Sequence, residues 1–405
     1  MKAGLVLTRT WLSLLTLPMM LALAAQAQGP RFRITDLGTL GGTYSSAFGL
    51  NNTGVVAGGA ATPTQTGGIY QTAFLWDHHL GMIDLGTLGG SDCPECSSEA
   101  GGPNAFGVAP IVSETSHPAY MGEDFCGFGT HRQCLGAIWK NGFMMALRPL
   151  KGGHNSQAYW TNNKGQTAGF AEIGIHDSTC SVPFQLLRFE AVVWQPNGTI
   201  RELHPLSGDT VGFAFSINEK GQAVGTSGLC SNTSIPPNNS VYGPHAVMWE
   251  ADGSPVDLGS LGGALPNVAD AINDRGDVVG ASQFTDGTIH PFLWTKAAGM
   301  KDLGILPGAV VTLPPCCHTI NNKGEVVGFS IDGSTGNTRA VLWQNNGPID
   351  LNTLIATGSP WYLQAASSIN DAGQIVGWGT INGNVHAFLA TPCNREQTHP
   401  DNVEH

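Results

Sequence analysis

One string recurs through this chain at a spacing that few folds can use. It is an apolar position, Asn, two polar residues and Gly, then an apolar run ending in Gly. It reads LNNTGVVAG at 50–58, TNNKGQTAG at 161–169, INEKGQAVG at 217–225, INDRGDVVG at 272–280, INNKGEVVG at 320–328 and INDAGQIVG at 369–377. The gap between Asn51 and Asn162 is about twice the others. AFGVAP at 105–110 fills it as a degenerate copy, which makes seven units. A second string follows each first one and ends on Trp76, Trp139, Trp194, Trp249, Trp294 and Trp343, with HAFLA at 386–390 in the seventh unit. A third string is acidic-Leu, mostly followed by Gly, at Asp84, Glu202, Asp257, Asp302 and Asp350.

Each unit therefore predicts four short strands, A to D. Asn-x-x-Gly makes a tight A–B turn, because Asn can bond nearby backbone and Gly supplies positive φ. Strand C ends at Trp, and a Gly-bearing turn leads to strand D. Four-stranded sheets at a spacing of about 45–55 residues mark a β-propeller. The seventh unit lacks a strand D, while a lone strand D, FRITDLG at 32–38, stands ahead of the first unit. The fold predicted is all-β, a seven-bladed propeller whose last blade is completed by the N-terminal strand. Closure removes the exposed edges of an open array. A linear solenoid, the alternative, would not need that lone strand.

Residues 1–27 read as a secretory signal peptide, with Lys2 and Arg9, an apolar stretch and Ala25-Gln26-Ala27 as the cleavage site. The propeller is expected over 28–391 and a disordered tail over 392–405. Export implies a secreted or periplasmic location. No other stretch has the ~20 apolar residues of a membrane span. Without Lys2 and Arg9, 16 Lys and Arg face 30 Asp and Glu, a formal charge of −14. Such a chain, with no basic run, is not expected to bind nucleic acid. The 55 glycines and only 12% charged residues suit short strands and tight turns. A monomer is expected.

The DLGTLGG, INxxGxVVG and AFLW strings, with the literal HAF of 386–388, resemble the HAF-repeat family of secreted bacterial proteins over roughly 32–391. The resemblance implies extracytoplasmic location and repeat architecture, and it supplies no catalytic residue.

In a meander the D–A and B–C connections share one rim. The B–C loops of units 2, 3 and 4 are long, at roughly 113–134, 170–189 and 226–244, as is the D–A connection 89–103. Variable loops on a rigid scaffold carry function, so this rim is the expected ligand face. Eight of nine cysteines map there. Bridges are expected among Cys93, Cys96, Cys126 and Cys134, and between Cys180 and Cys230, as structural staples. Cys393 falls at the opposite rim and is expected to stay apart from them.

Gly-x-Ser-x-Gly, His-Glu-x-x-His and P-loop strings are absent. GTLGG leads into a strand and reads as a turn. Three residues before each Asn, strand A carries Phe48, Phe106, Tyr159, Phe215, Asp270, His318 and Ser367, taking Phe106 for unit 2. Strand A is innermost, so Asp270, His318 and Ser367 occupy one height near the axis, in the order that a carboxylate-oriented, imidazole-activated serine needs. They are the candidate catalytic residues. The strand-D carboxylates Asp36, Asp84, Glu202, Asp257, Asp302 and Asp350 are expected to cap turn N–H groups. Calcium is a candidate cofactor, held there or in the channel by Asp270 with strand-A carbonyls or Asn side chains. His154, His176, His245 and His290 fall near the loop rim without metal-ligand spacing.

Two functions follow. The first is an exported module presenting the unit 2–4 loops to a small molecule, a glycan or an extracellular protein. The second is a hydrolase of esters, lactones or glycosides with its site at the mouth of the axial channel.

Overall fold

The computed structural model describes residues 31–63, 71–180, 185–233, 243–314, 318–344 and 347–393. The leader and the segment 394–405 lie outside the described residues, as do Cys316 and Cys317. Seven antiparallel four-stranded sheets form the ring. Their innermost strands are Ser45–Leu50, Ser98–Ala100, Gly152–Thr161, Val211–Ile217, Gly262–Ile272, Ala309–Leu313 and Trp361–Ile369. Blade 7 takes its outer strand from the N-terminal side: Phe32–Asp36 pairs with Asn384–Pro392, from Phe32 opposite Pro392 to Asp36 opposite Phe388. The expected closure is the observed one, and the last strand runs to Pro392.

The recurrent Asn does more than shape a turn. Its Oδ1 accepts the N–H groups two and four residues on, as Asn218 does from Lys220 and Gln222. Its Nδ2 donates to the Asn carbonyl of the next blade. These bonds run Asn51 to Asn104, to Asn162, Asn218, Asn273, Asn321 and Asn370, and back to Asn51, at 2.9–3.1 Å. All seven Asn residues are buried. Asn218→Ala removes one link and both turn bonds. At roughly 1 kcal/mol net for each bond, a loss of about 2–3 kcal/mol is expected in chemical denaturation.

This ring corrects the reading of unit 2. Asn104-Ala105-Phe106-Gly107 is a complete Asn-x-x-Gly turn, so the copy is not degenerate there. Phe106 lies in that turn, 74% exposed. Three residues before Asn104 stands Gly101.

A β-bulge interrupts strand A in five blades, between Ala47 and Gly49, Ala158 and Trp160, Ala214 and Ser216, Ala269 and Ala271, and Ala366 and Ser368. The extra residue is Phe48, Tyr159, Phe215, Asp270 or Ser367. The Gly that ends each VVG run answers the bulge: a Cβ on Gly280 would lie 1.9 Å from the Val268 carbonyl oxygen. The terminal Trp of strand C ties blades together. Trp194, Trp249 and Trp343 donate Nε1–H to carbonyls of Arg148, His204 and Gly304 in the connection from the preceding blade. Apolar clusters fill the spaces between sheets, the largest around blades 2 to 4.

Candidate functional site: the axial channel and the blade 2 loop

The bulges turn consecutive strand-A residues toward the axis. Trp160 of blade 3 and His318 of blade 6 meet there, ring centroids 4.4 Å apart and planes 2° from parallel. Blades 3 and 6 stand across the ring from each other, so this stack closes the channel. Trp160 reaches the axis over Gly102, where a Cβ would lie 1.6 Å from its ring. Burial lowers the His318 pKa, opposed by the nearby Asp371 and Asp274. Its Nδ1 is buried and has no partner among the described residues.

On the A–B turn side, Trp160 and His318 line a cavity of about 80 Å³ with Asn52, Asn163, Glu219, Asp274, Asn322 and Asp371. These six polar side chains each accept the backbone N–H of the preceding blade's turn, at 2.8–2.9 Å. One oxygen of each is committed to the fold, so the cup carries a structural second ring, broken where blade 2 has Ala105.

The expected relay is not assembled. Ser367 is 2% exposed, and its hydroxyl bonds the Ala47 carbonyl at 2.6 Å and lies 3.2 Å from that of Val376. No side-chain hydrogen bond joins His318 to Ser367 or Asp270 among the described residues; the His318 ring stacks face to face on Trp160. Asp270 is buried without a charged or hydrogen-bonding partner there, and burial raises its pKa well above the carboxylate range. The three positions correspond along their units, but Ser367 bonds backbone carbonyls and His318 stacks on Trp160.

Most of the strand-D carboxylates considered for calcium each hold a backbone N–H through one oxygen. Asp36, Asp84, Asp257 and Asp302 accept the N–H two residues on, at 2.7–2.9 Å, and Asp350 does the same for Asn352. This is the capping role expected of the column, on the outermost strands. The strand-A Asn side chains that would have joined Asp270 are occupied by the ring.

Strands reach into the expected loop segments, and disulfides fasten their described residues. Strand B of blade 2 extends to Pro118 and strand C begins at Arg132, leaving 119–131. In blade 3 the strands run to His176 and from Leu187, leaving 177–186. Strand B of blade 4 ends at Gly228 and strand C begins at His245, with 234–242 outside the described residues. Disulfides join Cys93 to Cys96, Cys126 to Cys134, and Cys180 to Cys230. Cys393 is an exposed free thiol.

In the blade 2 loop Phe125 and Phe128 are buried in the largest cluster. The Phe125 carbonyl accepts from Gln157, whose Oε1 accepts the Tyr159 hydroxyl at 2.5 Å. Burial pushes the Tyr159 hydroxyl pKa up, and raises nearby Glu99 to about 7. Glu114 is buried, takes bonds from Ser97 N–H and the Thr130 hydroxyl, and is raised by burial too. The loop tip stays outside. Tyr120 is 38% exposed and stacks on His154 at 4.2 Å and 9°. Met121 is 75% exposed with φ 49°, and His131, φ 54°, lies 2.8 Å from the Gly122 carbonyl through Nδ1.

No family model matches the chain, and no curated protein does. Several solved structures are similar in outline. A gluconolactonase of Xanthomonas campestris is 10% identical, with 91% of this chain and 96% of that one covered and a TM-score of 0.39. The β-propeller domain of the trilobed protease of Pyrococcus furiosus is 10% identical, with 86% and 94% covered and a TM-score of 0.48. TolB of Acinetobacter baumannii is 11% identical, with 87% and 65% covered and a TM-score of 0.39. Likeness at this level carries none of those proteins' chemistry to this chain.

The remaining histidines have local tasks. His245 bonds Asp209 at 2.9 Å and His290 bonds Asp302 at 3.1 Å, while His176 ends its strand exposed. His386 of the HAF string pairs with Asp36 at 3.0 Å, across the seam that closes the ring. Glu190, Glu202 and His204 cluster on the outer face of blade 3, half-buried or exposed. No helix among the described residues is long and apolar enough to cross a membrane.

Proposed function

We propose that the protein is an exported binding propeller of the HAF-repeat kind, and that its ligand seats on the loop face of blades 2 and 3. The carrying observation is the tip of the 119–131 loop. A non-glycine residue in the left-handed region costs about 1–2 kcal/mol, and this loop holds both Met121 and His131 there. The same loop is fixed by a disulfide and two buried phenylalanines, so the strain serves to hold Tyr120 and Met121 out in one position. A rigid aromatic platform binds with little ordering cost. Tyr120, backed by His154, offers a flat face suited to the apolar face of a sugar ring or another small molecule.

Binding of the purified protein to a glycan panel, followed by calorimetry on the best ligand, tests this. Tyr120→Ala is expected to weaken binding at least about tenfold, the scale of an aromatic anchor, and to leave the melting temperature nearly unchanged. Undiminished binding in Tyr120→Ala overturns the placement. Hydrolysis would need a nucleophile other than Ser367. Chromogenic esters, lactones and glycosides assayed on the same preparation, with and without a chelator, test that alternative.

A further inference from the structure

Two carboxyl groups lie between the blade 2 loop and blade 3 with no Lys or Arg paired to them; the nearest group able to carry positive charge is His154, whose charge would favour ionised Glu172. Glu123 follows the Tyr120–Met121 tip in the loop, and Glu172 sits on strand B of blade 3, Thr167–His176. Both are almost fully buried. The Asn155 amide stands between them: its Nδ2 is 2.9 Å from Glu123 Oε2 and 3.0 Å from Glu172 Oε2. Glu123 Oε1 accepts Leu186 N–H at 2.7 Å, and Glu172 Oε2 also accepts the N–H groups of His154 and Asn155. The remaining oxygen, Glu172 Oε1, is buried without a partner among the described residues.

The charged and titratable groups on the surrounding elements are engaged elsewhere. Arg132 pairs with Glu95, and Arg188 with Asp177 at 2.9 Å. Asp124 takes Gly129 N–H, Glu114 takes Thr130, and the His154 ring lies on Tyr120. Two ionised carboxylates cannot stay buried side by side without compensation. A metal ion is disfavoured, because the Asn155 N–H donor points at both carboxyls where a cation would have to sit. A proton held between them removes the conflict and gives Oε1 a role.

We propose that Glu123 and Glu172 share one proton, and that this proton is the latch holding the 119–131 loop and its Tyr120–Met121 tip on blade 3. The loop is docked at neutral and acid pH and released as the pH rises. The effect of burial and of Glu172 on Glu123, which raises its pKa to about 8, agrees in direction. A carboxyl raised from 4.5 binds its proton more tightly in the docked state, so docking weakens progressively from about pH 4.5 up to about pH 8 and changes little beyond. The latch rests on the binding reading only for what it regulates; its existence is tested without ligand.

The experiment follows the Glu side-chain carboxyl carbons by NMR in the whole protein, together with hydrogen exchange across 119–131 corrected for the intrinsic pH dependence. A coupled pair titrating with a midpoint near 8 is expected. Corrected exchange should rise at least about tenfold between pH 6.5 and 9, since a proton bound about tenfold more tightly when the loop is docked already moves the docking equilibrium by that factor. Glu172→Gln and Glu123→Gln each supply a neutral amide in place of the shared proton. In whichever of them folds, this rise should shrink, because the remaining carboxyl ionises beside a neutral amide and no longer against a second negative charge. The proposal is overturned if both carboxyls titrate below pH 6, if wild-type exchange does not change, or if a chelator alone releases the loop. Loss of ligand binding with the NMR titration intact would count against the binding reading and not against the latch.

Discussion

A chain lacking residues 31–36 is expected to lose at least about 5 kcal/mol of stability, on the scale of a whole domain's margin. Phe32 is buried against Leu342, Leu351, Trp361 and Phe388, with Ile34 beside it. Burying each such side chain is worth about 1.5–3 kcal/mol. Five residue pairs with the Asn384–Pro392 strand go too, with the Asp36–His386 contact. What remains is an open edge on blade 7, a row of unpaired backbone groups that invites aggregation. Thermal melting of the truncated protein is the measurement, with a synthetic 31–38 peptide added in trans to restore the transition. A melt within a degree or two of the full chain would show that the ring does not depend on this strand.

Replacing both Cys180 and Cys230 with Ala is expected to cost about 4 kcal/mol by the chain-entropy model, from a separation of 50 residues. The pairs at separations of 3 and 8 close far smaller loops and should cost about 1.5–2.5 kcal/mol each. The long bridge is also the one that joins neighbouring blades, from the B–C loop of blade 3 to that of blade 4. Denaturation of the three double variants gives the ranking. If loss of the Cys180–Cys230 bridge proves the mildest of the three, the denatured chain must already hold blades 3 and 4 together.

The architecture was legible because each blade repeats its strings. The Asn column, the Trp column and the displaced strand D announce a closed seven-bladed ring, and the equivalent loops of neighbouring blades pair Cys180 with Cys230, while the pairing of the four blade 2 cysteines needed the structure. Blade 2 was misaligned because Ala105 and Phe106 stand where other turns carry polar residues, which hid Asn104. The channel was harder. A β-bulge shifts the inward face by one residue, and no string marks it, so the parity that lined up Asp270, His318 and Ser367 could not show that Ser367 bonds a backbone carbonyl or that His318 meets Trp160. Loop lengths were overestimated because 113–118 and 170–176 look irregular until the disulfides and Phe125 give them a core. The Glu123–Glu172 pair had no local signal at all, since it exists only where two blades meet.

The ring of seven asparagines has a consequence for how such a molecule can change over generations. Every unit brings one donor and one acceptor to the circle, and every link runs the same way round. A duplicated segment running from one strand D through the next A, B and C would add a donor and an acceptor together, leaving no polar group stranded. A deletion of the same span would remove both. Blade number in this lineage is thus open to revision by simple gene duplication, limited by how far the sheets can tilt to fill the wider or narrower circle. Trp160 and His318 set the opposite constraint: a pair matched across one diameter fits one circumference, and a protein with a blade more or fewer would have to find a new stopper for its axis.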